Sequence, residues 1–228
     1  MNTVTEYHAD TTIELFADPI SPYVYLACHH LGRHPAFQVR VRPVLLAGLL
    51  GHFGQLGPAE IAPKRVFTFK DIVRRCHDHG LPLVGPATHP FNPLAALRAL
   101  LAVPEADRLA ALTAIVDAGW GEGADLGDPA VIARALTQVG LDGPALLAAG
   151  EQPSCKQALV AATSEAARLG VFGVPTFGVR GELVFGQDRL PDALRVLAGE
   201  DPVQPEQVAA MLARPAGATR RVADKRTP

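Results

Sequence analysis

Ser21-Pro22-Tyr23 is the first place along the chain where residue types and spacing point to chemistry. Thr12–Ala17, just before it, reads as a strand. Just after it, Tyr23, Leu26, Ala27 and His30 recur at helical spacing. Serine is a favoured N-cap. Proline is tolerated at the first helical position, where its missing N–H would be unpaired in any case. The Ser21 hydroxyl is therefore expected where a helix begins, at the C-terminal edge of a sheet. Orphan amides and the helix dipole favour negative charge there. A plain cap would satisfy the same residues, so the stretch alone leaves both readings open.

A second stretch bears on the choice. Gly173 to Phe185 reads as two short strands around an Arg180-Gly181 turn. Val174-Pro175 opens the first of these strands, and an X-Pro bond at such an edge is a reasonable place for a cis peptide.

The remaining pattern supplies the elements that hold these two stretches. Strand one covers about 12–17. Helix one runs from Ser21 to about Gly32, with Gly32 and Pro35 as stop signals. Phe37, Val39 and Val41 alternate with polar residues, which predicts a second strand parallel to the first across a βαβ crossover. Residues 47–150 turn helical. Val66, Phe69, Val73 and Cys76 share one face, followed by Gly80. Leu94, Leu97 and Leu101 mark a further helix, and Leu109, Leu112, Ile115 and Val116 another. Asp128-Pro129 opens one more, with Ile132, Leu136 and Val139 inward. Residues 81–93 are proline-rich and read as a loop. A helix over 153–169 places Leu159, Ala162, Ala166 and Leu169 inward. A last helix near Asp188 carries Leu190, Leu194 and Leu197. Residues 206–213 suggest a short helix, and 214–228 a solvated tail.

Taken together, these stretches resemble the thioredoxin fold. More closely, they are similar to 2-hydroxychromene-2-carboxylate isomerases and kappa-class glutathione transferases of the DsbA-like branch. The likeness rests on Ser21-Pro22-Tyr23-x-Tyr25-Leu26-Ala27, Arg42-Pro43-Val44-Leu45-Leu46, Pro63-Lys64-Arg65, Leu97-Arg98-Ala99, Gly170 to Phe177 and Gly181 to Leu190, in order from residue 12 to about 198. It implies an α/β, thioredoxin-like fold with an inserted all-helical subdomain. The thioredoxin-like part is expected at 11–46 and 151–199, the insertion at 47–150, and a partly disordered extension at 200–228.

Disulfide oxidoreductases of this fold carry Cys-x-x-Cys where Ser21-Pro22-Tyr23-Val24 stands here. Neither end has a thiol, so thiol–disulfide exchange cannot run through it. The resemblance implies that glutathione brings the sulfur, with Ser21 as a hydrogen-bond donor to it. It further implies that the Val174 backbone before Pro175 pairs with the cysteinyl unit like an added strand. Gln187 and Asp188 would take the γ-glutamyl end and Lys64 the glycyl carboxylate. Tyr23, Gln55, Asn92 and Trp120 are candidates for a pocket holding an aromatic substrate, with Asp125 nearby. The family usually has asparagine near Gln55, often tryptophan at Phe185, and a hydroxyl residue at Pro93. The implied activity is a glutathione-dependent isomerase of aromatic enoyl-pyruvates. A conjugating transferase and a non-catalytic peptide-binding module are the alternatives, and a homodimer is expected.

Composition narrows the field. Of 228 residues, 48% are hydrophobic and 19% charged, enough for a buried core. A net charge of −2 does not suit a nucleic-acid surface. No apolar run is long enough to span a membrane, and the first ten residues lack a signal-peptide core, so the cytosol is expected. Cys28, Cys76 and Cys155 are too scattered for a disulfide framework or a metal set and are expected to be structural or surface thiols. His30 and His34 stand four apart, but no acidic or thiol ligand is spaced to join them. They are expected to be a surface pair, and no metal is expected. His77 and His79 are two apart on a helix and point to different sides. Neither a Gly-x-Ser-x-Gly elbow nor a nucleotide-binding glycine motif is present.

Overall fold

Strand β1 (Thr12–Ala17) is one of two inner strands of a four-stranded sheet in a computed structural model that describes residues 11–33 and 37–218. The expected N-terminal lead, His34, Pro35 and the end of the tail lie outside the described residues. Ile13 and Leu15 are buried, as are Phe16 and Ala17 where the strand runs under the site. The chain then enters α1 (Pro22–Leu31) with proline in its first turn. This helix buries Val24, Tyr25, Leu26, Ala27, Cys28 and Leu31. Burial on more than one side means that it is covered from several directions. Strand β2 (Gln38–Pro43) lies parallel to β1, with Ile13 opposite Val39 and Phe16 opposite Arg42. Parallel neighbours need a crossover, and α1 provides it.

Helices follow: α2 (Leu46–His52), α3 (Ala62–His79), α4 (Leu94–Ala102), α5 (Arg108–Val116), one π-helical turn (Asp117–Gly121), α6 (Pro129–Gln138), α7 (Gly143–Gly150) and α8 (Pro153–Leu169). Helix α6 starts as its sequence predicts. The Asp128 carboxylate accepts the Ala130 N–H at 2.8 Å, with Pro129 next to it. Helix α3 stops at Gly80, whose φ of +63° disfavours any residue with a Cβ. Strands β3 (Thr176–Val179) and β4 (Glu182–Phe185) form the expected hairpin. Strand β3 pairs antiparallel to β1, so the sheet order is β2-β1-β3-β4. Helices α9 (Leu190–Ala198) and α10 (Pro205–Leu212) end the described chain. One apolar core runs from Ile13 and Leu15 through α1 to Leu112, Trp120 and Ile132.

Some faces differ from the periodicity. In α3, Ile72 and Cys76 are buried and Phe69 half-buried, whereas Val66 and Val73 are more than half exposed. A run carrying apolar residues on two faces does not say which face turns inward. Val139 and Leu169 are exposed as well. Each is the last apolar residue before a glycine stop, where the helix has already cleared its neighbours. Among the described residues, no helix is long and apolar enough to cross a membrane.

Candidate active site

The backbone from Asp18 to Ser21 forms a turn in which every carbonyl is held. Ser21 N–H donates to the Asp18 carbonyl at 3.1 Å. The Trp120 indole N–H donates to the Pro19 carbonyl at 3.0 Å. The Ile20 carbonyl accepts from His89 Nε2 at 3.2 Å. The Asp18 side chain is fully buried beneath this turn and accepts the Ile20 N–H at 3.0 Å and the Leu46 N–H at 2.9 Å. It thereby ties the end of β1 to the start of α2. Burial pushes its carboxyl up to about 7, against the pull of those two amides.

Ser21 sits at the N-cap position of α1 in extended conformation, yet its side chain accepts no amide from the helix. Capping is therefore not what this hydroxyl does. It is 6% exposed and donates to the Val174 carbonyl across a long 3.4 Å contact. The Val174-Pro175 peptide is cis, and Pro175 in turn accepts the Gly186 N–H at 3.0 Å. So the start of α1, the cis-proline loop and the start of the segment after β4 meet at one point. A hydroxyl parked on a long bond can rotate to a better acceptor at little cost.

A groove of about 710 Å³ opens here. It is lined in part by Tyr23, His30, Asp71, Arg75, Val174 and Pro175, and beyond the loop by Phe185, Gln187 and Asp188. Gly186 has φ +107°, and a Cβ there would stand 2.8 Å from the Asp188 carboxylate. Only glycine lets the chain turn into Gln187–Arg189. Gln187 is 6% exposed, and its Oε1 is buried without a hydrogen-bond partner. A buried acceptor left unpaired costs about 1–3 kcal/mol, so this amide is poised for a donor. Asp188 stands at the rim, 3.6 Å from Arg189.

The structure thus brings Tyr23, Val174, Pro175, Gln187 and Asp188 onto one groove; Ser21 is not among its lining residues and joins it through its bond to the Val174 carbonyl. The other residues singled out from the sequence lie elsewhere. Lys64 is exposed in the first turn of α3, and Gln55 is exposed between α2 and α3; neither lines the groove. Asn92 is exposed and accepts the Leu94 N–H at 3.1 Å in the turn that leads into α4. Asp125 closes a local turn on Gly127 N–H and Thr88. Trp120 is fully buried and so lines no substrate pocket; its indole bonds beneath the turn instead. The reason is topological: the π turn carries it under α1, a placement that no local spacing encodes.

His30, Asp71 and Arg75 also line this groove and were not anticipated there. His30 is half-buried. Its ring packs edge-on to His79 at 4.4 Å, its Nε2 is buried without a partner, and burial pushes its pKa down to about 4. Tyr23 donates to Asp71 at 3.1 Å; burial, then the Asp71 charge, pushes its hydroxyl up to about 12. Asp71 is braced in turn by Arg75 at 3.4 Å. The i, i+3 and i, i+4 relations of Asp71, Arg75, Asp78 and His79 on α3 are the one local signal that a polar stripe faces this groove.

Cys28 and Cys76 are buried, and burial pushes their thiols up to about 12 and about 11. Burial also raises Cys155, whose thiol lies against the Arg98 carbonyl at 3.4 Å. The chain therefore offers no thiolate of its own near neutral pH. Among the described residues, no three His, Cys, Asp or Glu side chains gather as a metal set would require.

Known proteins share this arrangement of elements. A family model for the DSBA-like thioredoxin domain matches residues 12–198. A 2-hydroxychromene-2-carboxylate isomerase of Sphingobium xenophagum is 30% identical over 184 residues, covering 78% of this chain and 94% of the relative. Glutathione S-transferase kappa 1 of Homo sapiens is 28% identical over 208 residues, covering 83% and 91%. Among solved structures, that of a 2-hydroxychromene-2-carboxylate isomerase aligns with a TM-score of 0.73 at 24% identity, over 89% of this chain and 100% of the other. At that identity the structural likeness bears on the fold.

Proposed function

The chain belongs to the DSBA-like thioredoxin domain family, and from that premise we propose that it is a glutathione-dependent isomerase of 2-hydroxychromene-2-carboxylate-like aromatic enoyl-pyruvates. The relatives at 28–30% identity are an isomerase of that name and a kappa glutathione transferase, which supports a glutathione-related enzyme. The observation that carries the reading is Ser21: a hydroxyl donor at a helix start, not used as a cap, against a cis-proline loop, in a chain without a usable thiolate.

The residues present fit the tripeptide. The orphaned Gln187 Oε1 would be satisfied by an ammonium, or, with the amide turned over, its NH₂ by a carboxylate. Asp188 at the rim adds an anionic partner for the ammonium. The Val174 backbone offers strand-like pairing beside Ser21. Lys64 does not line this groove, so no role in holding the far carboxylate is assigned to it.

Glutathione, when bound, would supply a thiolate able to add reversibly to a conjugated double bond and leave again with its electron pair, freeing that bond to rotate in between. The protein's part is electrostatic. The Ser21 hydroxyl, released from the Val174 carbonyl, would donate to that sulfur, a charge-assisted bond worth about 1.5–3 kcal/mol. The α1 dipole contributes about 0.3–1 kcal/mol. At about 1.36 kcal/mol per pKa unit, a thiol near 8.5 falls by roughly one to three units. Ser21 stays neutral throughout and attacks nothing.

Incubation with glutathione and a chromene carboxylate tests the reaction class. Isomer accumulation with glutathione recovered unchanged supports the isomerase. Stoichiometric loss of glutathione into a thioether would replace it with the conjugation that the kappa relative's name describes.

A further inference from the structure

Within that functional reading, we propose that His89 is a positioning residue for Ser21, acting through the peptide bond that joins Ile20 to Ser21. Both polar ends of this peptide are held. Its N–H reaches the Asp18 carbonyl at 3.1 Å, a local contact within the turn. Its carbonyl accepts from His89, 69 residues away. Fixing this peptide plane fixes the direction in which Ser21 projects its side chain, and so where the hydroxyl stands relative to a bound sulfur.

The imidazole is itself held. Its ring lies edge-on to Phe69, Phe91 and Trp120, at centroid distances of 5.4, 6.4 and 5.3 Å. Arg65 donates to the His89 carbonyl at 2.9 Å and stacks over Phe69. A carbonyl only accepts, so the hydrogen must reside on Nε2. In the neutral ring Nδ1 then carries a bare lone pair, and that atom is buried without a partner. Burial lowers the pKa of this ring, which agrees with the neutral form.

The unpaired Nδ1 argues for function over packing. A phenyl ring would fill the same aromatic box without a bare Nδ1, but it would leave the Ile20 carbonyl without its donor. What imidazole has and phenyl lacks is the Nε2–H aimed at Ile20. Local features that lower stability without local benefit concentrate at functional sites. Trp120 holds the neighbouring Pro19 carbonyl in the same way, but it also fills the core. His89 is the partner whose hydrogen bond can be removed while the volume stays.

The test compares wild type, His89→Phe and His89→Gln, reading the pKa of the bound glutathione thiol by thiolate absorbance, together with kcat and KM. In His89→Phe the thiol pKa is expected to rise by about 0.7 unit, roughly fivefold less thiolate, which converts to about 1 kcal/mol, the worth of one neutral hydrogen bond. kcat should fall in step while KM for glutathione stays within about twofold. His89→Gln, which keeps an N–H donor of similar reach, should recover most of both. A folded His89→Phe with wild-type thiol pKa and kcat overturns the assignment and leaves the isomerase reading intact. Wild type that fails to bind glutathione overturns both. Should the phenyl variant not fold, ¹⁵N NMR of the wild-type ring decides. Hydrogen on Nε2 with bare Nδ1 at pH 7 supports the proposal, and the opposite tautomer refutes it.

Discussion

The turn beneath Ser21 and the rim of the groove above it differ in how their polar groups are held. Beneath, Asp18 and Trp120 are fully buried, and each reaches the turn with nearly ideal hydrogen bonds. Their partners and His89 come from segments 28 to 101 residues away in the chain. Above, Asp188 is 62% exposed and Arg75 43% exposed, and their ion pairs are to near neighbours in sequence. Buried, fully paired donors fix a position, whereas exposed pairs are worth about 0–1 kcal/mol and exchange partners readily. The floor fixes the backbone from which the Ser21 hydroxyl projects. The rim's ion pairs are free to exchange partners.

The contrast can be broken experimentally, starting where it is largest. Trp120→Ala should cost about 3–5 kcal/mol in denaturant unfolding, through the cavity and the lost donor to Pro19. A loss below about 1 kcal/mol would put the floor on the same footing as the rim. Asp18→Asn comes next, with about 1–3 kcal/mol expected near pH 4, since one amide does not reproduce both contacts. Its pH dependence sharpens the point. The carboxyl stands at about 7 in the fold against an ordinary 3.8. A raised acid stabilises the fold below its ordinary value, and that contribution is lost as pH rises through 7. Wild type should therefore lose its advantage over Asp18→Asn between pH 4 and pH 8; an advantage that grew with pH would mean the buried carboxylate is held charged. The smallest effect belongs to the rim. Asp188→Asn should weaken glutathione binding, by titration calorimetry, no more than about fivefold, with folding stability unchanged within about 0.5 kcal/mol.

Much of the scaffold was legible because its signals are local. Ser21-Pro22 announces a helix start, Asp128-Pro129 another, and Arg180-Gly181 a hairpin turn, and each is found there. Val174-Pro175, marked from the sequence as a reasonable place for a cis peptide, is cis. Illegible parts depend on partners far along the chain. Nothing near Trp120 says that its indole meets Pro19, and the loop at 81–93, read from its prolines, holds the His89 that grips Ile20. His30 looked like a surface histidine because its covering, His79, lies on another helix. The burial of Ile72 over Val73 likewise turned on which face of α3 met α1.

Under the proposed function, Ser21 lowers the pKa of a borrowed thiol by donating a hydrogen bond to it. The most direct measurement is a thiolate absorbance titration of glutathione bound to wild type and to Ser21→Ala. Wild type should hold the thiol below its free value near 8.5, and the alanine variant should raise it by about one to two units. The melting temperature should fall only slightly, because this hydroxyl caps no helix and its bond to the Val174 carbonyl is long. Identical thiol pKa values in the two proteins, with glutathione bound in both, would contradict the account.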